Sequence, residues 1–329
     1  MAKPLELEIE AMAQGGYGLA RERGRSIYVP YTIPGEIIAA RITRSDERAT
    51  YAEGTQLLDA SADRVYPRCQ HFGPGRCWRC QWQHIDYAAQ LLIKQDVLAE
   101  HLERLGGIRD DVVQPVAPSA EPYGYAYHMT FSPLPAGGFA LPNMNELLVP
   151  IQTCHLLHPD LLDLYQRVDM TLPNLKRLKL QMGSGGEQMI ILYMAEEDAP
   201  ELETDLDASI NLLLPDNEPM NLVGESHVRY RVHGRSFRVT AGSYFRANAL
   251  LVPTLVDSVL SLLAPQPDEY VLDLYAGVGV FGAFIAQKAK LVTLVESYPP
   301  AATDAETNLG DLDNVDVIEG TVEEALSVL

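Results

Sequence analysis

A chain of 329 residues, 47% of them hydrophobic, is long enough for two or three folded domains and too apolar for a disordered polymer. No apolar run reaches the length of a membrane span, because Asp257, Lys288 and Lys290 interrupt the longest, and the first residues lack a signal-peptide segment; the expectation is a cytoplasmic monomer with no membrane partner. The net charge of −20 argues against nucleic acid only until it is divided: residues 1–110 hold 14 Lys and Arg against 15 Asp and Glu, and residues 111–329 hold 11 against 30. A local basic surface for RNA is compatible with that distribution, as is a small barrel whose cations merely face water.

Residues 1–58 carry short alternating runs, Leu5–Ile9, Ser26–Pro30 and Glu36–Ile42, separated by the turns Gly15-Gly16-Tyr17-Gly18 and Ile33-Pro34-Gly35. With no helical period, these predict a five-stranded barrel of the oligonucleotide-binding type. A loop-rich segment, 59–86, holds Cys69, Cys77 and Cys80. Leu91, Leu92, Leu98, Leu102 and Leu105 then predict a helix over 87–105, stopped by Gly106-Gly107. The proline-rich stretch 112–240 predicts a mixed β domain with a hairpin at His227–Thr240.

From residue 241 the pattern changes. Asn248 precedes a helix reaching Ala264. Strands at Tyr270–Leu274, Leu291–Glu296 and Val315–Ile318 alternate with helices at Phe281–Ala289 and Ala301–Asn308, which predicts a doubly wound parallel sheet. Gly277-Val278-Gly279-Val280-Phe281-Gly282 satisfies the pattern G-x-G-x-x-G between a strand and a helix. Such a turn lets backbone amides approach a nucleotide cofactor, and Glu296 at the next strand end is placed to accept ribose hydroxyls. NAD and S-adenosylmethionine both fit that loop. Asp273, four residues earlier, favours the second, since a carboxylate suits a sulfonium cation and repels a pyrophosphate.

The spacing Cys69-x7-Cys77-x2-Cys80, with Cys154 far downstream, offers four thiolates. A cubane cluster accepts a compact triplet with a remote fourth ligand, whereas zinc favours paired C-x2-C knuckles. Cys154 with His158 completing a zinc site is the alternative.

Together these residues resemble the TRAM-domain tRNA/rRNA uracil-5-methyltransferase family. Glu10–Ala20, Val29-Pro30 and Ile33–Glu36 look like its TRAM barrel. Cys69, Cys77, Cys80 and Cys154 match its [4Fe–4S] ligands in order, Gly242–Asn248 looks like its entry into the methyltransferase domain, and Asp273–Gly279 with Glu296 match its cofactor motifs. The resemblance implies a multidomain α/β protein: a TRAM barrel over 1–58, an iron–sulfur central domain over 59–240, and a Rossmann-like class I methyltransferase domain over 241–329. It also implies that the helix at 87–105 packs on the methyltransferase domain. The implied cofactors are S-adenosylmethionine and the cluster, and the implied partner is rRNA or tRNA.

In the family a cysteine thiolate attacks C6 of uracil, C5 takes the methyl group, and a carboxylate removes the C5 proton. Tyr275 would lie along the cofactor, Gly277 and Gly279 against it, Glu296 on its ribose, Thr321 near its adenine, and Arg246 by its carboxylate. Arg246 stands where the family usually has glutamine, and Tyr125-Ala126-Tyr127-His128 where it is rich in Arg and Lys. No cysteine follows Cys154, so no catalytic residue is assigned. The nucleophilic cysteine is expected beyond Leu329, which makes the methyltransferase domain incomplete at its C-terminal end and the chain as given inactive. A non-catalytic iron–sulfur RNA-binding protein and an NAD-dependent dehydrogenase are the competing readings.

Overall fold

The structure, a computed structural model, describes residues 4–47, 49–109, 112–197, 199–200 and 203–327. Leu329, past which the nucleophile is expected, lies outside the described residues. The sequence predicts boundaries after residues 58 and 240. Contacts group the chain into two units instead, one of residues 1–118 with 141–149, the other of residues 119–140 with 150–329.

In the first unit, β1 (Leu5–Glu8), β2 (Ala11–Ala13), β3 (Tyr17–Glu22), β4 (Arg25–Pro30), β5 (Ile37–Ser45) and β6 (Thr50–Asp59) form one sheet in the order β1-β5-β6-β4-β3-β2. The expected five strands become six because residues 5–13 bend at Ile9 and Glu10. The run pairs first with β5 and then with β3, and the Ile9 and Glu10 amides donate to Glu36 and Leu19 at 2.9 and 2.8 Å. One bent run thus supplies both ends of the strand order. Leu7, Ile9, Ala20, Ile27, Val29, Ile38, Ala40 and Ala52 fill the interior.

The cysteine segment folds onto this barrel. Its Trp82 indole donates to Gly16 (3.2 Å), and its Arg64 guanidinium grips the buried Glu36 carboxylate through two bonds of 2.6 and 2.7 Å, while the Val65 amide closes the segment on its own His84 (2.9 Å). Helix α1 (Tyr87–Gly106) is capped by Asp86 and ends at left-handed Gly107. It groups with this unit, whereas the resemblance implied packing on the methyltransferase domain. Its inner stripe is the buried Ala89 with the half-buried Ile93 and Val97, against Met12, Ile33 and Ile85. The expected leucines Leu92, Leu98 and Leu105 are exposed, because three smaller or β-branched side chains spaced four residues apart fit closer to the barrel than leucine does.

The second unit is built on β7 (His128–Pro133), the start of β8 (Phe139–Pro142), helix α2 (Pro159–Arg167), β10 (Leu175–Met182), β11 (Gln188–Met194), β12 (Ser209–Leu213) and β13 (Pro219–Val223), while β9 (Leu148–Pro150) falls largely in the stretch grouped with the first unit. Its strands run β13-β12-β11-β10-β7-β8, antiparallel except for β11 with β12. The hairpin of β14 (His227–Val232) and β15 (Arg235–Thr240) was expected within this mixed domain. Its Val228, Tyr230, Val232, Phe237 and Val239 share a core with Val278, Ala283, Leu294 and Ala305 of the α/β segment as well as with Met189 and Ile191 of β11.

Helix α3 (Val252–Leu263) begins after a 3-10 turn at Ala249–Leu251. β16 (Tyr270–Leu274), α4 (Val280–Ile285), β17 (Leu291–Glu296), α5 (Pro299–Leu309), β18 (Val315–Glu319) and α6 (Val322–Leu326) follow. The three strands are parallel in the order β16-β17-β18, which is one half of the doubly wound pattern the sequence predicts.

Candidate cofactor site

β16 delivers the chain into a strained turn. Tyr275, Gly277 and Gly279 all have left-handed backbones, with φ of +61°, +57° and +82°. The turn is fixed by the Ala276 amide on Val295 (3.0 Å) and the Gly279 amide on Ala276 (3.1 Å), which hold Tyr275 in a conformation non-glycine residues avoid. The two glycines do different work. A Cβ at Gly279 would stand 2.5 Å from Leu309 Cδ1 and 3.2 Å from Leu294 Cδ2, so Gly279 lets α4 sit closely on β17 and α5. A Cβ at Gly277 would meet nothing within 4 Å, so its backbone faces open space where a ligand can approach. The Tyr275 ring beside it is 73% exposed.

Glu296 ends β17 and is tied to this turn. One carboxylate oxygen accepts the Gly277 amide at 2.8 Å and the other accepts the Tyr298 amide at 2.8 Å. Each oxygen keeps a lone pair beyond those bonds, so the carboxylate is oriented and still able to take hydroxyl donors. Asp273 accepts the Gly282 amide at 3.0 Å, at the start of α4. Burial pushes its carboxyl up to about 6, against the opposing effect of that amide.

The folded protein therefore holds the Asp273 proton more tightly than the unfolded chain does. Its contribution to stability is complete below the ordinary carboxylate pKa and is lost as pH rises through about 6. Asp273→Asn keeps an acceptor for Gly282. Thermal unfolding of the variant should lose the decline that the wild type shows between about pH 4 and 7.

Arg246 is exposed, in the segment that follows Gly242. Thr321 caps α6: its hydroxyl accepts the Glu324 amide (3.3 Å) and bonds the Glu324 carboxylate (2.8 Å), so its contacts in the structure serve the helix start. The anchor of this site that sequence reading missed is Asp304, fully buried on α5. It accepts the Thr240 amide (2.6 Å), the Thr240 hydroxyl (2.7 Å) and the Ser243 hydroxyl (3.2 Å), and pairs with Arg238 at 3.1 Å. Asn308, one turn on, accepts the Arg238 amide and donates to the Arg238 and Val278 carbonyls. A Cβ at Gly242 would lie 2.3 Å from the Tyr298 hydroxyl. Hairpin, glycine turn and α5 thus lock together beside the cofactor loop. The available signal was an acid and an amide four residues apart on one face of an otherwise small-residue helix.

Of the cysteines, Cys77 and Cys154 are buried and Cys69 and Cys80 half-buried. In the first unit the Cys69 sulfur accepts the His71 amide and the Cys77 sulfur the Arg79 amide, each at 3.4 Å. Burial pushes the Cys77 thiol up, and the nearby Cys69 adds to the effect while Arg79 opposes it. Among the described residues no three His, Cys, Asp or Glu converge closely enough to hold a metal ion. His158, the candidate partner of Cys154 in a zinc site, instead caps α2 by accepting the Asp160 amide at 3.3 Å, and packs on Tyr127.

The TRAM domain of tRNA (uracil(54)-C(5))-methyltransferase matches residues 5–62, the barrel of the first unit. An uncharacterized RNA methyltransferase of Streptomyces avermitilis is 30% identical over 99% of this chain and 80% of its own length, and one of Streptomyces coelicolor is 31% identical over 98% and 74%. The chain belongs to the TRAM-domain tRNA/rRNA uracil-5-methyltransferase family. The 23S rRNA (uracil(1939)-C(5))-methyltransferase RlmD of Edwardsiella ictaluri is 29% identical over 94% of this chain and 74% of its own. The crystal structure of Pyrococcus abyssi tRNA (uracil-54, C5)-methyltransferase in complex with S-adenosyl-L-homocysteine shares the fold, with a TM-score of 0.72 at 20% identity over 96% of this chain and 80% of that one. These matches run along most of each relative. They give no support to the expectation that the catalytic segment is missing and its cysteine lies beyond Leu329.

Proposed function

We propose that the protein methylates C5 of a uridine in rRNA or tRNA, with S-adenosylmethionine bound at the turn after β16. The observation that carries the reading is the pairing of Glu296 with the Gly277 amide beneath an open, left-handed loop. That arrangement offers an oriented carboxylate for ribose hydroxyls and a backbone edge that a nucleoside can approach. Bound there, S-adenosylmethionine supplies an electrophilic methyl group. The chain's own residues orient it: Glu296 on the ribose, Tyr275 along the adenosine, Gly277 and Gly279 shaping the loop, and Arg246 toward its carboxylate. Thr321 is placed near the adenine by the resemblance, alongside its capping role. The four cysteines all precede the α/β segment, so no nucleophile is assigned among them.

We assign Cys69, Cys77, Cys80 and Cys154 to a [4Fe–4S] cluster. The support is the order and spacing of the four cysteines and the amide-to-sulfur bonds on Cys69 and Cys77, which suit thiolate ligands. No step of the reaction is routed through it. Anaerobically purified protein should contain iron and sulfide in equal amounts, and one zinc with no iron would exclude the assignment. A cytoplasmic, monomeric enzyme is the setting proposed; no described helix is long and apolar enough to cross a membrane.

The function itself is tested by mapping methylated uridines in cellular RNA with and without the gene. One rRNA or tRNA uridine should lose its C5 methyl group in the deletion and regain it on complementation. An unchanged map would overturn the reading.

A further inference from the structure

The four tyrosines of the barrel region are not part of its interior. Tyr17, Tyr28 and Tyr51 lie on β3, β4 and β6 at positions between the core residues, and Tyr31 follows β4; all are half-buried. Their rings cluster with Trp78 of the cysteine segment. Tyr17 meets Tyr51 at 5.8 Å and 72°, Tyr28 meets Tyr51 at 5.5 Å and 32°, and Tyr31 meets Trp78 edge-on at 5.3 Å. Over the Tyr51 ring, at 4.3 Å from its centre, sits the guanidinium of the exposed Arg44, in a loose ion pair of 3.8 Å with Asp46.

Three of these rings, those of Tyr17, Tyr31 and Tyr51, open onto a cavity of about 700 Å³. Tyr17, Tyr31, Tyr51 and Arg44 line one part of it, and Pro74 and Gly75 of the cysteine segment another. Tyr31 is held in a left-handed backbone, φ +62°, while Arg64 donates to its carbonyl and its hydroxyl donates to Gly73, both at 2.9 Å. Backbone strain secured from both ends of a residue is a mark of a site rather than of a core. Aromatic faces gathered outside the core, with a cation stacked on one of them, are the chemistry that holds a flat heterocycle beside a phosphate.

We infer that this cavity is a pocket for one unpaired nucleobase of the RNA substrate, stacked on Tyr51 and Tyr17 with Arg44 against the neighbouring phosphate. A base inside a duplex keeps both faces covered by its neighbours, so the pocket selects single-stranded RNA. It belongs to the first unit, whereas the cofactor loop belongs to the second. The inference rests on the RNA reading above.

The test uses the full chain and a fluorescent single-stranded RNA of about eight nucleotides, a common site size for such barrels. The same RNA is annealed to its complement for comparison, and a set of the same RNA carries an abasic site at each position in turn. The single strand should bind more tightly than the duplex, and Tyr51→Ala should weaken it about 10-fold or more, while Tyr51→Phe stays near wild type. One abasic position should cost the wild type a similar factor and cost Tyr51→Ala nothing further. Arg44→Ala, a change at an exposed side chain, should lower the salt dependence of binding. If the wild type binds RNA but neither Tyr51→Ala nor any abasic position alters affinity, the pocket is wrong and the RNA reading stands. If the wild type binds no RNA, both fall.

Discussion

Glu36→Ala should unfold the first unit more readily than any other single truncation in the barrel, by about 3–5 kcal/mol. The carboxylate is fully buried and has four donors: Nε and Nη2 of Arg64, the Ile33 amide at 2.9 Å and the Ser61 amide at 3.3 Å. Alanine leaves the largely enclosed guanidinium of Arg64 without its anion and two amides without acceptors, and an unpaired buried charge costs more than the pair itself contributes. The loss spreads beyond the barrel, because Ser61 and Arg64 fix the start of the cysteine segment to this carboxylate. Denaturant titration followed by tryptophan fluorescence reads it directly, since Trp78 and Trp82 both lie in that segment. A midpoint within error of the wild type would show that Arg64 and its neighbours find other partners.

A loss of similar size is expected for Asp304→Ala in the second unit, about 3–5 kcal/mol. Here the bonds join elements far apart in sequence: α5 to the last residue of β15 and to Ser243 beyond it. Burial raises the Asp304 carboxyl above the ordinary range, opposed by the Thr240 and Ser243 donors and Arg238. Truncation frees Arg238, Thr240 and Ser243 together and releases the turn at Gly242 that abuts Tyr298. Because the Tyr298 amide is one of the two that orient Glu296, the variant should also lose affinity for the cofactor even where it remains folded. Asp304→Asn, which keeps one acceptor, should retain part of both. Hydrogen exchange at Thr240 separates the two effects, and full protection in Asp304→Ala would contradict the assignment.

The parallel sheet and its glycine loop were legible because their signals are local. Two apolar runs, a glycine turn between the first and its helix, and an acid at the second strand end lie within thirty residues of one another, and β16, β17 and β18 fall where the periodicity puts them, although β16 is half-buried to exposed and α4 stops at Ile285, short of the expected Ala289. The barrel was legible only in kind. Its count of strands depends on a bend at Ile9, and a three-residue strand such as β2 carries too few positions for alternation to register. Helix α1 was found at its true length while its buried face was not. Leucine spacing reports amphipathicity, whereas the face used depends on the neighbour, and Met12 and Ile33 leave room for Ala89 rather than a leucine.

At the site, Glu296 and Gly277 were visible from the motif, but the bond between them was not. Asp304 and Asn308 escaped because their partners lie about seventy residues away, a distance over which composition and period say nothing. Thr321 illustrates the converse. A residue placed by resemblance alone turns out to have a full local role, a capping box legible in Thr321-Val322-Glu323-Glu324.

Calorimetric titration of the chain with S-adenosylhomocysteine, beside NAD and beside the Glu296→Gln variant, tests the central claim most directly. The wild type should bind one S-adenosylhomocysteine and no NAD. Glu296→Gln, which keeps a neutral acceptor for the loop amides, should weaken that binding about 10-fold or more, the range for a charged hydrogen-bond acceptor lost from a ligand. Binding of NAD in preference, or an affinity for S-adenosylhomocysteine indifferent to Glu296, would contradict the placement of the cofactor on the turn after β16.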